Sequence, residues 1–272
     1  MRPAALLARV LLPAAAVTAA LFVGKTVLPE SSLYRTAITP HALQVLGASS
    51  KLAFLLLAAV FAWKSARAFE AGNLVRPAWR LLAAGSVAFF LAQLSYAPYQ
   101  LVLNQDPPFP SLADVLFMLA YPLFVAALFA FLRGYEEAGY PVGTARARWA
   151  LAGAVAAACA VVGWFVLRPV ILGPSSGLEK LLNVAYPVLD FVLLVPTALL
   201  MRMTLSMRGG AAWKVWAALL GGFLFLSVGD ILFAYLPTLG RQDVDPLIHA
   251  MYIFSYALTA YGVLRQYELL TS

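Results

Sequence analysis

Charge is scarce in this 272-residue chain: 19 Lys and Arg with 12 Asp and Glu amount to 11% of it, where a soluble domain carries roughly 25%. That scarcity excludes a soluble globular protein. Cysteine occurs once, at Cys159 inside an Ala/Val run, so neither an intrachain disulfide nor a cysteine-based metal site can form, and the residue reads as a small buried apolar side chain. Histidine occurs twice, at His41 and His249. Two are too few for a three-histidine zinc site; a bis-histidine haem stays open geometrically, against the simpler reading that both cap helices or bond locally. The chain has no Gly-x-Ser-x-Gly, phosphate loop, His-Glu-x-x-His or Gly-x-Gly-x-x-Gly, the spacings that build the common hydrolase, nucleotide and zinc sites. No cofactor and no metal are therefore expected.

Apolar length is what the chain has in abundance. Apolar residues make up 63% of it and the mean hydropathy is +0.85. The charges cluster between apolar runs of about 20 residues, the length that crosses the ~30 Å hydrocarbon core as a helix. These runs predict an all-α, polytopic membrane bundle forming a single integral membrane domain over 1–272. Eight spans are expected, near 5–23, 42–63, 79–103, 112–132, 149–167, 181–201, 215–236 and 247–264. Residues 1–20 also carry the basic start, apolar middle and small-residue end of a secretory signal, so the first span has a second reading. At this length there is room for eight spans and short loops, with no appended soluble domain.

The net charge of +7 fits cytoplasmic loops facing anionic lipid, and no nucleic-acid partner is expected. Alternating the loops puts Arg2, Arg9, Lys64, Arg67, Arg76, Arg80, Arg133, Arg146, Arg148, Arg202, Arg208, Lys214 and Arg265 on one side. Lys25, Arg35, Arg168, Lys180 and Arg241 fall on the other, with Lys51 inside a span. By the positive-inside rule both termini are cytoplasmic, in a bacterial inner membrane, and the 104–111 and 236–245 loops lie outside.

Placing Trp79 over Trp216 superposes Gln93 on Asp230, and the following helices superpose Asp114 on His249 and Tyr121 on Tyr256. Both hairpins run in, out, in. The match reads as a parallel internal repeat about an axis along the membrane normal, or as chance likeness between apolar helices. The triplets Ala120-Tyr121-Pro122 and Ala185-Tyr186-Pro187 each place a proline mid-span, where the missing amide loosens the helix.

Ionisable groups inside hydrocarbon need a partner or a pocket. Lys51 and Asp190 sit at similar depth, which predicts a buried ion pair between them. Offsets of 0, 3 and 7 keep residues on one helical face. They produce the stripes Asp114/Phe117/Tyr121, Asn183/Tyr186/Asp190 and His249/Tyr252/Tyr256, joined by Gln93/Tyr96/Gln100 in the third span. All start at the outer surface. One reading is an outward pocket for a small or amphiphilic ligand, lined by Gln93, Tyr96, Asp114, Tyr121, Asn183, Tyr186, Asp190, Asp230, His249, Tyr252 and Tyr256. The other is interhelical hydrogen bonding with an interfacial tyrosine belt.

An ordered set of motifs adds a resemblance. Pro110, Ser111, Ala113, Asp114, Tyr121 and Pro122, then Tyr186, Pro187 and Asp190, then Gly229 and Asp230, lie as in the multi-span membrane sensor region found ahead of GGDEF/EAL-type diguanylate cyclase and phosphodiesterase domains. The likeness covers roughly residues 79–265. Phe233 stands where the last helix carries tyrosine, and no GGDEF or EAL domain follows. The resemblance implies a sensor or interaction module that signals to a separate protein partner, in the membrane or at its cytoplasmic face. Gly229-Asp230 followed by His249-Ala-Met-Tyr252 is also similar to the lysoplasmalogenase-type membrane hydrolases, which would make Asp230 and His249 acid/base groups acting on a lipid.

Overall fold

A computed structural model describes residues 3–103, 105, 107–140, 143–205 and 210–271. Of the basic residues used above for orientation, Arg2 and Arg208 lie outside the described residues, as do Asn104 and Asp106 of the 104–111 loop. The described residues contain no strand. The chain forms α1 (Pro3–Val27), α2 (Pro40–Ala68), α3 (Arg76–Ala97), α4 (Leu112–Glu137), α5 (Ala145–Val162), α6 (Gly177–Met203), α7 (Ala211–Tyr235) and α8 (Asp245–Thr271). A wide turn at Pro98–Leu103 prolongs α3, and a wide turn at Gly163–Leu167 with a short helix at Arg168–Leu172 prolongs α5.

Counted with these extensions, eight helical stretches of 22 to 29 residues are long and apolar enough to cross a membrane. The protein is an all-α, multi-pass integral membrane protein whose outer surface suits lipid. The helices overrun the apolar windows because they end at caps rather than at the first charge. Thr39 accepts from the Ala42 amide ahead of Pro40 at the start of α2. Ser176 and Glu179 form a reciprocal capping box at the start of α6, as Ser111 and Asp114 do for α4.

The centre of the bundle is α8, packed against α1, α2 and α7. Most of its apolar stretch, 61%, is buried, against 6% for α5. Thus α5 is peripheral, and the rest of the chain leaves nearly its whole surface uncovered. Cys159 lies there and is exposed, which corrects the expectation of a buried thiol: an Ala/Val run that is apolar all round gives no sign of which face is covered. Helices α3 and α4 pack as one hairpin and α7 and α8 as another, while α4 and α7 both meet α6. At one end of the bundle Trp79 of α3 and Trp216 of α7 both stand edge-on to Phe131 of α4, at 4.9 and 5.1 Å between ring centroids. Trp216 also donates its indole N–H to Tyr135 at 3.2 Å. This knot ties three helices at the end opposite the site.

Candidate functional site

The site lies where α2, α4, α6 and α8 begin and α3 and α7 end. Asp114 is placed there by the cap of α4: the Ser111 amide donates to its Oδ2 at 2.6 Å. Its other oxygen, Oδ1, accepts from Tyr186 of α6 at 2.7 Å. One turn to two turns deeper, Tyr121 of α4 donates to Asp190 Oδ1 of α6 at 2.8 Å and stands 3.1 Å from Asp230 Oδ2 of α7. Tyr252 of α8 donates to Asp230 Oδ1 at 2.7 Å. Three buried carboxyl groups on three helices are thus held by three phenols. Among the described residues no ion pair reaches Asp114, Asp190 or Asp230.

Gly229 makes this arrangement possible. A Cβ at that position would lie 2.7 Å from Cε1 of Tyr252, so the glycine leaves the room in which that ring reaches the neighbouring Asp230.

A cavity of about 180 Å³ opens between these groups. Of the sequence-derived residues, Gln93, Tyr96, Asp114, Tyr121, Tyr186, Asp230, His249, Tyr252 and Tyr256 line it. Two do not. Asp190, 1% exposed, lies behind Tyr121, and Asn183 is half-buried on α6, its Oδ1 without a partner among the described residues. Phe89 of α3 backs the wall, edge-on to Phe117, Tyr121 and Tyr256 at 5.0 to 6.2 Å. Phe89, Leu226, Phe233, Pro107, Phe109 and Ile248 are further apolar parts of the lining. Apolar residues on an apolar helix carry no mark that separates a cavity wall from the core. Asp245 also lines it, and its signal was legible: it stands four residues before His249, one helical turn away.

The expected Lys51–Asp190 pair is corrected. Lys51, 3% exposed, places its Nζ 3.2 Å from Nδ1 of His249, and His249 Nε2 lies 3.4 Å from Asp245 Oδ2. Asp190 instead bonds Tyr121 and adjoins Asp230. Equal depth did not decide the matter, because α2 packs against α1, α3 and α8 while α6 packs against α4, α5 and α7. The long lysine side chain also reaches along the helix toward the polar rim. Outside the spans, Arg241 donates to both oxygens of Asp243 at 2.8 and 2.9 Å and holds that carboxyl below the usual carboxylate range.

Two buried amides line the cavity incompletely bonded: among the described residues Gln93 Nε2 and Gln100 Oε1 have no hydrogen-bond partner, although both residues are at least 96% buried. Among the described residues no group of three His, Cys, Asp or Glu could hold a metal ion. The arrangement offers binding chemistry: aromatic faces, buried acceptors, one ammonium and room for a small molecule.

No family model, no curated protein and no solved structure matches the chain.

Proposed function

We propose that the protein is a membrane-embedded sensor or interaction module. Its pocket faces outward, takes a small or amphiphilic ligand, and passes the signal to a separate protein partner. The observation that supports this reading is the meeting of Tyr121, Asp190 and Asp230. These residues carry three separate motifs of the sensor-region resemblance, on α4, α6 and α7, and one phenol touches both carboxyl groups. Helices α4 and α6 each contain a proline one position after a site tyrosine, Pro122 and Pro187. A ligand that shifts Tyr121 or Tyr186 therefore acts on helices with an interrupted hydrogen-bond ladder. The basic residues bias both termini to the cytoplasm of a bacterial inner membrane, which turns the pocket outward and the 133–148 and 202–214 segments toward a cytoplasmic partner.

The test is mass spectrometry of lipids and small molecules that co-purify with the full chain in nanodiscs, compared with a Leu226→Trp variant in which the cavity is filled. The reading expects a species retained by the wild type and lost from the variant. Identical extracts would contradict it. The alternative, an intramembrane lipid hydrolase of lysoplasmalogenase type, requires Asp230 and His249 to act on one bond. Both line the cavity, yet Asp230 is engaged by Tyr121 and Tyr252, and His249 by Lys51 and Asp245. Turnover of lysolipids that is lost in Asp230→Asn would favour the hydrolase.

A further inference from the structure

We infer that the ligand of this pocket is a small protonated amine with an apolar body. The inference rests on the outward pocket proposed above and names the chemistry it selects.

Charge comes first. Asp114, Asp230 and Asp245 line the cavity and Asp190 lies directly behind Tyr121, whereas among the described residues Lys51 is the single basic side chain in the lining besides the imidazole of His249. Lys51 is already directed to His249. No Lys, Arg or His lies within ion-pairing distance of Asp114, Asp190 or Asp230 among the described residues. Carboxyl groups buried at membrane depth call for a counter-charge or a donor.

Hydrogen count points the same way. Tyr121 has one hydroxyl hydrogen but lies at 2.8 and 3.1 Å from oxygens of two carboxyl groups, so it can donate to only one of them at a time. Among the described residues Gln100 Oε1 is a buried acceptor of the lining with no partner, Gln93 Nε2 is a buried donor with none, and Asp190 Oδ2, also without one, lies behind Tyr121. An ammonium group brings up to three donors and one positive charge to Gln100 Oε1 and to the carboxyl groups of the lining. A quaternary ammonium brings the charge without the donors.

Shape supplies the rest. Phe89, Phe117, Tyr121 and Tyr256 form contiguous edge-to-face contacts around the cavity, and such rings attract cations at their faces and pack an apolar body. At about 180 Å³ the space slightly exceeds the ~150 Å³ cavity that accepts benzene. An amine of roughly eight non-hydrogen atoms fits that volume.

The probes follow from that size: benzylammonium, benzyl alcohol, benzoate and benzyltrimethylammonium, each titrated onto the full chain in nanodiscs with empty nanodiscs as the blank. Benzylammonium should bind saturably, and about tenfold or more tighter than the alcohol, the benzoate and the quaternary ion. Leu226→Trp should abolish that binding, while Arg241→Gln, in the exposed loop, should leave it unchanged. If the alcohol or the benzoate binds as tightly as the amine and is displaced by Leu226→Trp, the pocket stands and amine selectivity is overturned. Equal affinity for the quaternary ion overturns the need for donors. Absence of saturable benzylammonium binding, or its persistence in Leu226→Trp, overturns the inference as well. The wild-type comparison among the four probes needs no variant to fold.

Discussion

Tyr121 of α4 donates its phenolic hydrogen to Asp190 of α6 at 2.8 Å, and both side chains are 1% exposed. The bond gives a carboxyl group inside the bundle its direct donor and joins two helices through residues that lie 69 positions apart in the sequence. Deleting the hydroxyl leaves the carboxyl buried without that donor. Tyr121→Phe is expected to destabilise the protein by about 1–3 kcal/mol. In an Asp190→Leu background the same substitution should cost less, with a coupling of about 1 kcal/mol or more in a double-mutant cycle. Additive effects in detergent-unfolding measurements would show that the two do not interact.

The same cycle separates the two accounts of Lys51. Lys51→Met and His249→Leu are expected to be coupled, because Nζ and Nδ1 stand 3.2 Å apart. Lys51→Met and Asp190→Leu should add to within about 0.5 kcal/mol, the behaviour of sites without shared partners. Strong coupling in the second pair would restore the ion pair that depth alone suggests.

Gly229→Ala places a methyl group 2.7 Å from the ring of Tyr252. The ring must leave Asp230, and the expected loss is about 1–3 kcal/mol. Shrinking the neighbour should remove the conflict, so the alanine is expected to be much less costly in a Tyr252→Leu background. An equal cost in both backgrounds would assign the glycine a different role.

Topology is open to direct labelling. In a Cys159→Ala background, which removes the exposed native thiol, Glu136→Cys and Thr238→Cys place single thiols at exposed positions at opposite ends of the bundle. A membrane-impermeant maleimide should label Thr238→Cys in intact cells and Glu136→Cys only after lysis. Gly143 and Gly240 are poorer positions, since their φ of 99° and 66° strains any other residue. Labelling of both thiols from one side would reject the alternating path.

How much the sequence reveals differs between fold and site. Spans are legible because hydrocarbon thickness acts on composition over a whole helix, and eight apolar runs became eight helices. Their ends are less so. Helix α8 continues past the window closing at 264, because Arg265 and Glu268 pair one turn apart and carry the helix onward. In the candidate site, spacing picks out polar side chains that share a helical face, since offsets of 3 and 7 survive in any regular helix. Partners on other helices escape, as Lys51 does, because periodicity fixes a direction relative to one axis and says nothing of which helix lies across it. Apolar walls such as Phe89 and Leu226 escape for a simpler reason: a cavity and a packed core use the same residues.

The account's central claim is a single pocket that opens to the outside, and Gln93 tests it most directly, being 3% exposed and part of the cavity lining. In the Cys159→Ala background a Gln93→Cys variant puts a smaller side chain there. A small, membrane-impermeant cationic methanethiosulfonate should react with it in intact cells, and benzylammonium should slow the reaction. No reaction from the outside, or reaction only in inside-out vesicles, would contradict the outward pocket.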